Sequence, residues 1–316
     1  MPDKTFVAGH RGLVGSALVR ELTKRGFSKL VTRTRSEMDL RDQNAVYEFF
    51  RIERPQVVLL AAAKVGGIGA NNESRWEFLH ENLTIQDNVL GASLKYDVPR
   101  VVFFGSSCIY PRLAKQPIKE EYLLTGPLEP TNEPYAIAKI AGLKLVEAAN
   151  TQYGRHWLSL MPTNLYGPGD NFDLSTSHVL PAMLRKFHEA ATDASGGTPP
   201  VVRLWGSGKP LREFLHVDDL ARAAVDLMAG GATGLYNVGS GEEVTIRQLA
   251  DLIAQIVGYR GAVEWDSSRP DGTPRKLLDS SRLRDTGWSP AISLEQGIAA
   301  VYQWYKSSPN YSMAAS

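Results

Sequence analysis

The sequence predicts an α/β protein in which helices cover both faces of a parallel sheet, with a smaller α/β lobe at the C-terminal end. Two observations support this fold class. Short apolar runs alternate with helical patterns along the first half of the chain, as expected for a doubly wound sheet. After Pro162 the elements become shorter and are separated by loops rich in proline and glycine. The predicted strands of the sheet are residues 5–8, 29–33, 56–61, 100–104 and 157–161.

The net charge and the cysteine count limit which partners and which cellular compartment are expected for this protein. Among 316 residues, 35 lysines and arginines nearly balance 34 aspartates and glutamates, so the net charge is +1. A balanced charge gives no general attraction to nucleic acid or to a membrane surface, and neither is expected as a partner. The single cysteine, Cys108, excludes an internal disulfide and suits a reducing compartment. No apolar run reaches the roughly 20 residues of a membrane span, and the N-terminus leads directly into a strand, so we expect a cytoplasmic protein.

The first strand leads directly into a glycine-rich turn that opens a helical pattern over residues 13–22. The turn consists of Gly9, His10, Arg11, Gly12, Leu13, Val14 and Gly15. Glycines let a backbone approach a pyrophosphate closely, while the amides at a helix N-terminus face its charge. A glycine triplet alone fits any tight turn about equally well. Between a strand and a helix, it favours a Rossmann-type doubly wound sheet that binds a dinucleotide.

Two arginines follow the second predicted strand, at the position where a carboxylate would bind the free ribose hydroxyls of NAD. Residues 33–35 read Arg-Thr-Arg. We expect Arg11 and Arg35 to clamp a 2′-phosphate, which predicts NADP(H) as the cofactor. The alternative is that both are solvated surface arginines. Asp39 and Leu40 are expected beside the adenine.

The next predicted helix and strand lead to further residues that are expected to contact the cofactor. Acidic residues 39 and 42 suit the start of a helix over residues 44–54, which Pro55 closes. The third strand leads into three small residues that let a backbone lie close to a cofactor: Ala61, Ala62 and Ala63.

Three polar residues farther along predict a reductase. Ser106 follows the fourth strand, where it either hydrogen-bonds a substrate carbonyl or merely caps a turn. Tyr135 and Lys139 lie four residues apart on a helical stretch over residues 135–153, so their side chains share one face. We expect the Lys139 ammonium to lower the pKa of Tyr135 and make it a usable acid or base. The spacing alone arises often by chance, but its combination with the glycine turn and Ser106 favours a nucleotide-linked reductase.

Longer motifs extend over nearly all of the chain. They include the glycine turn, the Tyr135/Lys139 pair, and segments 105–111, 164–168 and 212–219, which read Gly-Ser-Ser-Cys-Ile-Tyr-Pro, Asn-Leu-Tyr-Gly-Pro and Arg-Glu-Phe-Leu-His-Val-Asp-Asp. In these motifs the chain resembles the extended short-chain dehydrogenase/reductases. Segments 61–68, 71–72, 128–135 and 270–276 make it similar to those members that convert GDP-4-keto-6-deoxy-D-mannose to GDP-L-fucose by 3,5-epimerisation and NADPH-dependent 4-keto reduction.

The resemblance implies five catalytic residues. Ser106, Tyr135 and Lys139 would form the reductive triad, while Cys108 and His178 would transfer protons during epimerisation. Protons on C3 and C5 are α to the keto group, so a base and an acid on opposite faces can invert each centre if the enolate oxygen is stabilised. Lys139 and the nicotinamide would favour the Cys108 thiolate. The alternatives are that Cys108 is a small buried hydrophobe and that His178 caps or lines a helix start.

The resemblance also implies two sets of binding residues. A nucleoside diphosphate sugar needs cations and an aromatic platform. The expected substrate contacts are Asn164, Lys186, Trp205, Arg212 and Asp271. For Trp205, core packing is an equally good interpretation. The expected cofactor contacts are residues 9–15, Arg35, Asp39, Leu40, residues 61–63, Lys139, Pro162, Thr163, Asn164, Leu165 and His178.

Further expectations concern organisation. Residues 1–165 are expected mainly to bind NADP and residues 166–316 mainly the substrate, with the chain crossing between the lobes. The helical stretches 76–96 and 135–153 are expected to pair in a homodimer. His216, Asp218 and Asp219 resemble a metal cluster, but we expect them to position the lobe and expect no metal. Arg275 and Lys276 are expected only to add charge.

Two other functions remain open. A nucleotide-sugar 4-epimerase or dehydratase would regenerate its NAD in each cycle, but the two clamp arginines favour NADP, and such an enzyme would give Cys108 and His178 no task. A non-catalytic NADPH-binding regulator would keep the fold without the chemistry, which the intact triad disfavours.

Overall fold

The computed structural model describes residues 4–193, 199–268 and 271–308. Its strands are β1 (Thr5–Ala8), β2 (Leu30–Val31), β3 (Val57–Leu60), β4 (Arg100–Phe104), β5 (Leu158–Pro162), β6 (Asn164–Tyr166), β7 (Val202–Trp205), β8 (Leu211–His216), β9 (Gly234–Val238), β10 (Glu243–Thr245), β11 (Val263–Asp266) and β12 (Arg275–Lys276). Its helices are α1 (Leu13–Lys24), α2 (Gln43–Glu53), α3 (Ile68–Glu73), α4 (Arg75–Lys95), α5 (Glu133–Tyr153), α6 (Val179–Thr192), α7 (Val217–Ala229), α8 (Ile246–Val257), α9 (Ser281–Arg284) and α10 (Leu294–Ser307). One of the segments rich in glycine and proline after Pro162, residues 195–200, is predicted to be a surface loop, and most of it lies outside the described residues, as does Pro270 of segment 270–276. Among the described helices, none combines the length and the apolar composition that crossing a membrane requires.

A six-stranded parallel sheet confirms the predicted fold class. Its order is β2-β1-β3-β4-β5-β9, and each neighbouring pair is parallel. All five predicted strands are present. The second is shorter than predicted, since only Leu30–Val31 pairs with β1, and Arg33 beyond it forms an ion pair with Glu53 at 2.8 Å.

Helices cover both faces of this sheet, as a doubly wound fold requires. On one face, α2, α4 and α5 pack on a core that includes Phe6 and Phe103. On the other face, α1 and α7 pack on a core that includes Val7 and Val102. Successive residues of a strand point to opposite faces, so β1 and β4, buried on both sides, each contribute to two cores.

The chain returns to the large sheet after it has begun the smaller lobe. Helix α7 packs beside α1, and β9 forms the edge next to β5, although both follow β6 to β8 in sequence. The smaller lobe has its own core between α6, α8 and α10, with Leu184, Phe187 and Ile298 fully buried. The boundary at residue 165 stays a prediction.

A small second sheet positions polar residues of the smaller lobe. Strand β8 lies between antiparallel β10 and parallel β12, and β6 also pairs with β8. The register aligns Arg212 with Lys276. Aligned residues of a parallel pair point to the same face of the sheet, so these two cations project from the same face.

Candidate active site

The glycine turn allows a close approach of backbones. Gly9 has a φ of +86°, which favours glycine, and a Cβ there would lie 2.7 Å from the backbone nitrogen of Ala62. A Cβ on Gly15 would overlap the carbonyl oxygen of Gly9. The Gly12 amide donates to that carbonyl at 3.0 Å, and α1 begins at the next residue, Leu13. A turn without side chains at a helix N-terminus fits the pyrophosphate of a dinucleotide.

The arginines near β2 differ in how accessible their side chains are to a bound ligand. Arg33 is used within the protein, in its ion pair with Glu53. The side chain of Arg35 is 69% exposed and lies 3.6 Å from Asp39. Arg11 is also exposed. Both predicted clamp residues are therefore open to an incoming phosphate.

Neighbouring arginines hold Asp39 as a carboxylate. Arg41 donates to it at 2.7 Å, and this contact, with further attraction from Arg35, lowers the pKa of Asp39 to about 2. The adjacent Leu40 carbonyl accepts a hydrogen bond from Nδ2 of Asn88 at 2.9 Å. The segment expected beside the adenine is thus fixed and negatively charged.

The remaining residues expected at the cofactor follow the carboxyl ends of two strands. Residues 61–63 follow β3, and Pro162 ends β5. Thr163 Oγ1 and Asn164 Nδ2 donate to the Glu213 carbonyl at 3.2 and 2.8 Å, and Leu165 follows in β6. These bonds attach the end of β5 to β8, so the segment joins the large sheet to the smaller lobe.

Tyr135, Lys139 and Ser106 meet at the carboxyl end of β4. Nζ of Lys139 donates to the Phe104 carbonyl at 2.8 Å and lies 5.8 Å from the centroid of the Tyr135 ring. The side chains of Tyr135 and Ser106 are hydrogen-bonded. Oγ of Ser106 also accepts a bond from the Cys108 amide at 3.3 Å, so it caps the turn as well.

Burial sets the protonation states of this group. Loss of solvent lowers the pKa of Lys139 to about 8. Burial also raises the pKa of Tyr135, Cys108 raises it further, and the bond with Ser106 partly opposes the rise. The prediction of a lowered pKa for Tyr135 is therefore wrong for the free protein, because desolvation outweighs an ammonium 5.8 Å from the ring. Tyr135 is a neutral phenol near pH 7 and can donate a proton.

Two nitrogen donors contact the sulfur of Cys108. Nδ2 of Asn132 lies 3.4 Å from Sγ, and Nζ of Lys276 lies 3.8 Å from it. The expected cation, Lys139, instead donates to a backbone carbonyl. The cation in contact with the sulfur is thus Lys276, from the other end of the chain.

His178 directly precedes α6, but its side chain makes no capping hydrogen bond. His178 is exposed in the free protein, yet desolvation by the surrounding atoms lowers its pKa, and the charge of Lys276 lowers it further. The backbone before it is fixed by another element, since the Gly67 amide donates to the Thr176 carbonyl at 2.8 Å. Cys108 and His178 therefore share Lys276 as a charged neighbour.

The predicted substrate residues of the smaller lobe form two linked pairs. Nζ of Lys186 donates to a β7 carbonyl at 3.0 Å and lies 6.0 Å from the centroid of the Trp205 ring. Trp205 is 64% exposed, so core packing is the wrong interpretation for it. Asp271 accepts bonds from the Ser207 amide and hydroxyl at 2.6 and 2.8 Å, and its charge acts on the half-buried Arg212. An exposed aromatic face thus lies beside the Lys186 cation.

The histidine and the acids at the start of α7 have structural partners. Nδ1 of His216 accepts a bond from the Asp218 amide at 3.2 Å. Asp219 accepts bonds from the amides of Ala291 and Ile292, each at 3.0 Å. The bonds to Asp219 attach α7 to the segment before α10. In the part of the chain that the structure describes, no group of three or more His, Cys, Asp or Glu residues is arranged to hold a metal.

The sequence patterns do not single out Asn132 as a functional residue, and they predict for Lys276 no more than added charge. Asn132 could have been found from Pro134, since proline is frequent in the first helical turn and an asparagine two residues earlier fits the capping position. For Lys276 no local signal exists, because it lies 168 residues from Cys108 and reaches it only through the pairing of β12 with β8.

Comparisons with known proteins agree with this geometry. The model of the NAD dependent epimerase/dehydratase family matches residues 5–239. GDP-L-fucose synthase of Escherichia coli (strain K12) is 55% identical over 313 residues, which cover 96% of this chain and 96% of that protein. GDP-L-fucose synthase 1 of Arabidopsis thaliana is 56% identical over 304 residues, which cover 96% and 93%.

A solved structure extends the comparison to three dimensions. A GDP-mannoheptose C4 reductase from Campylobacter jejuni with NADP bound superposes with a TM-score of 0.89 at 40% identity, covering 96% of this chain and 98% of that one. The resemblance seen in the sequence motifs is confirmed. The chain therefore belongs to the NAD dependent epimerase/dehydratase family, in the branch that contains the GDP-L-fucose synthases.

Proposed function

We propose that the protein converts GDP-4-keto-6-deoxy-D-mannose to GDP-L-fucose by 3,5-epimerisation and NADPH-dependent reduction of the 4-keto group. The observation that carries this proposal is that Cys108 lies beside the Ser106, Tyr135 and Lys139 cluster, with its amide donating to the Ser106 hydroxyl oxygen at 3.3 Å. A ketone bound there has a proton donor for reduction and a base for epimerisation in one site. The E. coli and Arabidopsis relatives, both GDP-L-fucose synthases, support the same product.

Epimerisation begins at the acidic C–H bonds next to the ketone. The Cys108 thiolate takes the proton from C3 or C5, and the electron pair moves to the carbonyl oxygen, which accepts hydrogen bonds from Tyr135 and Ser106. Protonated His178 then donates to the same carbon from the opposite face, which inverts it. Solvent resets the pair by taking the thiol proton and returning one to His178. Because this step needs a free thiol, we place the protein in the reducing cytoplasm.

Reduction uses the neutral phenol. When bound, NADPH supplies the reducing equivalents that C4 receives. Tyr135 donates its proton to the oxygen on C4, and the Lys139 ammonium stabilises the phenolate that remains. Since burial raises the pKa of Tyr135, the phenol holds its proton until the oxygen becomes strongly basic. The same residue that stabilises the enolate thus completes the reduction.

The cofactor proposed is NADP(H). Residues 9–15 hold its pyrophosphate, and the exposed Arg11 and Arg35 bind its 2′-phosphate. The ionised Asp39 suits the amino group of the adenine. Residues 61–63 and 162–165 line the cofactor at the strand ends. The NADP in the Campylobacter reductase supports this assignment.

The substrate's nucleotide is proposed to lie on the smaller lobe. Trp205 offers an exposed aromatic face for the guanine, with Lys186 at its side. Arg212 and Lys276, aligned on neighbouring strands, suit the two negative charges of the pyrophosphate. Negative charge there also offsets the effect of Lys276 on His178, which favours protonated His178 when substrate is bound.

A homodimer through α4 and α5 is also proposed. These two long helices pack side by side and expose large apolar side chains, with Trp76 70%, Ile137 44% and Leu145 40% exposed. Pairing with the same face of a second copy would bury all three around a two-fold axis.

The proposal is tested by supplying purified protein with GDP-4-keto-6-deoxy-D-mannose and NADPH and identifying the sugar product. We expect GDP-L-fucose in a one-to-one ratio with oxidised NADPH. Tyr135→Phe is expected to slow turnover by about 10²–10⁴-fold while NADPH binding is retained, which a non-catalytic regulator would not predict. Steady conversion without net NADPH oxidation would instead indicate a 4-epimerase or dehydratase.

A further inference from the structure

The side chain of Asn132 does not cap α5, although Asn132 occupies the capping position of that helix. Asn132 is the capping residue of α5, where an asparagine usually accepts a hydrogen bond from an amide of the first helical turn. Its side chain makes no such bond. Its Nδ2 is directed at Sγ of Cys108, 3.4 Å away, and among the described residues its Oδ1 is buried without a hydrogen-bond partner. The amide is therefore oriented by the sulfur and not by the helix.

The backbone of Asn132 is held rigidly. Its amide donates to the Glu129 carbonyl at 3.2 Å, and its carbonyl accepts from the Ala136 amide at 3.0 Å. Tyr135 follows three residues later on the same helix start, so the donor to the sulfur and the phenol share one rigid support. A donor fixed in place needs no reorganisation when charge develops on its partner.

We infer that Asn132 is a positioning residue that holds the Cys108 sulfur in its thiolate form for proton removal from the substrate, an inference that rests on the epimerase function proposed above. The NH₂ group of an asparagine can only donate, and a thiolate accepts far better than a thiol, so this contact favours the thiolate.

The two donors to the sulfur differ in their effect on His178. Lys276 favours the thiolate through its charge, but the same charge lowers the pKa of His178 and opposes the protonated form that must donate. The Asn132 amide is neutral, so it stabilises the thiolate without this cost. The cavity beside the sulfur is also lined by Arg112, Glu129 and Arg275. Arg112 is paired with Glu129 at 3.1 Å and Arg275 with Glu243 at 2.9 Å, while Tyr135, whose pKa Cys108 affects, is neutral near pH 7.

The single cysteine provides a test that does not depend on turnover. Iodoacetamide alkylates the thiolate, forming an S–C bond with loss of iodide, and Cys108 is the sole thiol in the chain. The alkylation rate of the whole protein is measured from pH 5 to 10. For Asn132→Ala we expect the midpoint of the profile to move up by about one pH unit, equivalent to about tenfold slower alkylation near neutral pH. Asn132→Asp, which places a carboxylate beside the sulfur, is expected to move it farther.

The matched control is Thr131→Ala, the neighbouring residue, whose hydroxyl bonds to Glu129 and not to the sulfur. Its alkylation profile is expected to match that of the unchanged protein. Thermal unfolding of each variant verifies folding, and Asn132→Ala is expected to melt near the unchanged protein because no helix cap is lost. An unchanged or lowered midpoint in folded Asn132→Ala would overturn the inference, since it would mean that the amide does not stabilise the thiolate.

A second readout separates this inference from the proposed function. In Asn132→Ala, exchange of the C3 and C5 protons with solvent is expected to slow at least tenfold, while oxidation of GDP-L-fucose by NADP⁺, which needs only the reductive triad, stays within about twofold. Equal loss of both would overturn a role specific to the sulfur. If the alkylation midpoint moves but no proton exchange occurs in any form of the protein, the proposed epimerase function fails while the contact between Asn132 and Cys108 stands.

Discussion

At the scale of single residues, burial decides the chemistry of the site more than charge pairing does. The spacing of Tyr135 and Lys139 predicts correctly that they share a helix face, but it cannot reveal how little water surrounds them. That desolvation lowers the pKa of Lys139 to about 8 and raises the pKa of Tyr135. The direction of a pKa shift depends on the surrounding atoms, which no short motif specifies.

The pH dependence of reduction follows from Lys139. The ammonium is present below its pKa of about 8 and is lost above it. We expect kcat/KM for NADPH oxidation to fall by up to tenfold per pH unit above about pH 8, as the charge that stabilises the Tyr135 phenolate disappears. Lys139→Met should be slow at all pH values and lack this decline. A decline that begins only near pH 10, the ordinary range of a lysine, would contradict the burial argument.

Cofactor preference is expected to depend on Arg35. Replacing this exposed cation by an acid, in Arg35→Glu, removes one phosphate contact and adds repulsion, so KM for NADPH should rise at least tenfold while KM for NADH changes little. Arg51→Glu on α2, also an exposed arginine, is the matched control and should leave both values unchanged. Equal effects on the two cofactors would exclude a 2′-phosphate contact.

At the scale of elements, the sequence predicts which helices and strands exist better than where they begin. Alternation of apolar runs and helical patterns predicts every inner strand of the large sheet. The start of α5 is placed two residues too late, although proline is tolerated in a first turn and Pro134 therefore fits within the helix. With the helix start misplaced by two residues, Asn132 is not recognised as the capping residue of α5.

The loop before α3 is expected to position His178. A Cβ on Gly67 would lie 2.6 Å from the Ser177 carbonyl oxygen, so Gly67→Ala must displace the segment that carries His178. We expect proton exchange at C3 and C5 to fall at least tenfold, with NADPH binding retained. Gly69→Ala is the matched control, since a Cβ there would come no closer than 3.9 Å to the Ser175 carbonyl oxygen. Equal effects of the two substitutions would contradict the positioning role.

At the scale of the whole molecule, the site depends on contacts that no local pattern encodes. Lys276 reaches Cys108 from 168 residues away, through the pairing of β12 with β8. The return of α7 and β9 to the large sheet joins the two lobes that carry the proposed triad and the proposed nucleotide contacts. Family resemblance points to most of these residues, but the long-range pairing is visible only in the folded chain.

The proposed dimer is tested on its apolar face. Leu145→Glu places a charge where two copies of α5 would meet, and it should convert a dimer to a monomer in analytical ultracentrifugation at micromolar concentration. Ile52→Glu changes an apolar residue of α2 that is 62% exposed, and it should leave the mass unchanged. A monomeric unchanged protein, or a dimer insensitive to Leu145→Glu, would contradict this interface.

Whether epimerisation and reduction share one site can be determined by running the reaction in heavy water with NADPH and analysing the sugar product by mass. We expect deuterium at both C3 and C5 of the GDP-linked product together with one oxidised cofactor per sugar, and loss of the deuterium in Cys108→Ser. Cofactor oxidation with no deuterium at either carbon would show a simple ketoreductase and contradict the proton-transfer roles of Cys108 and His178.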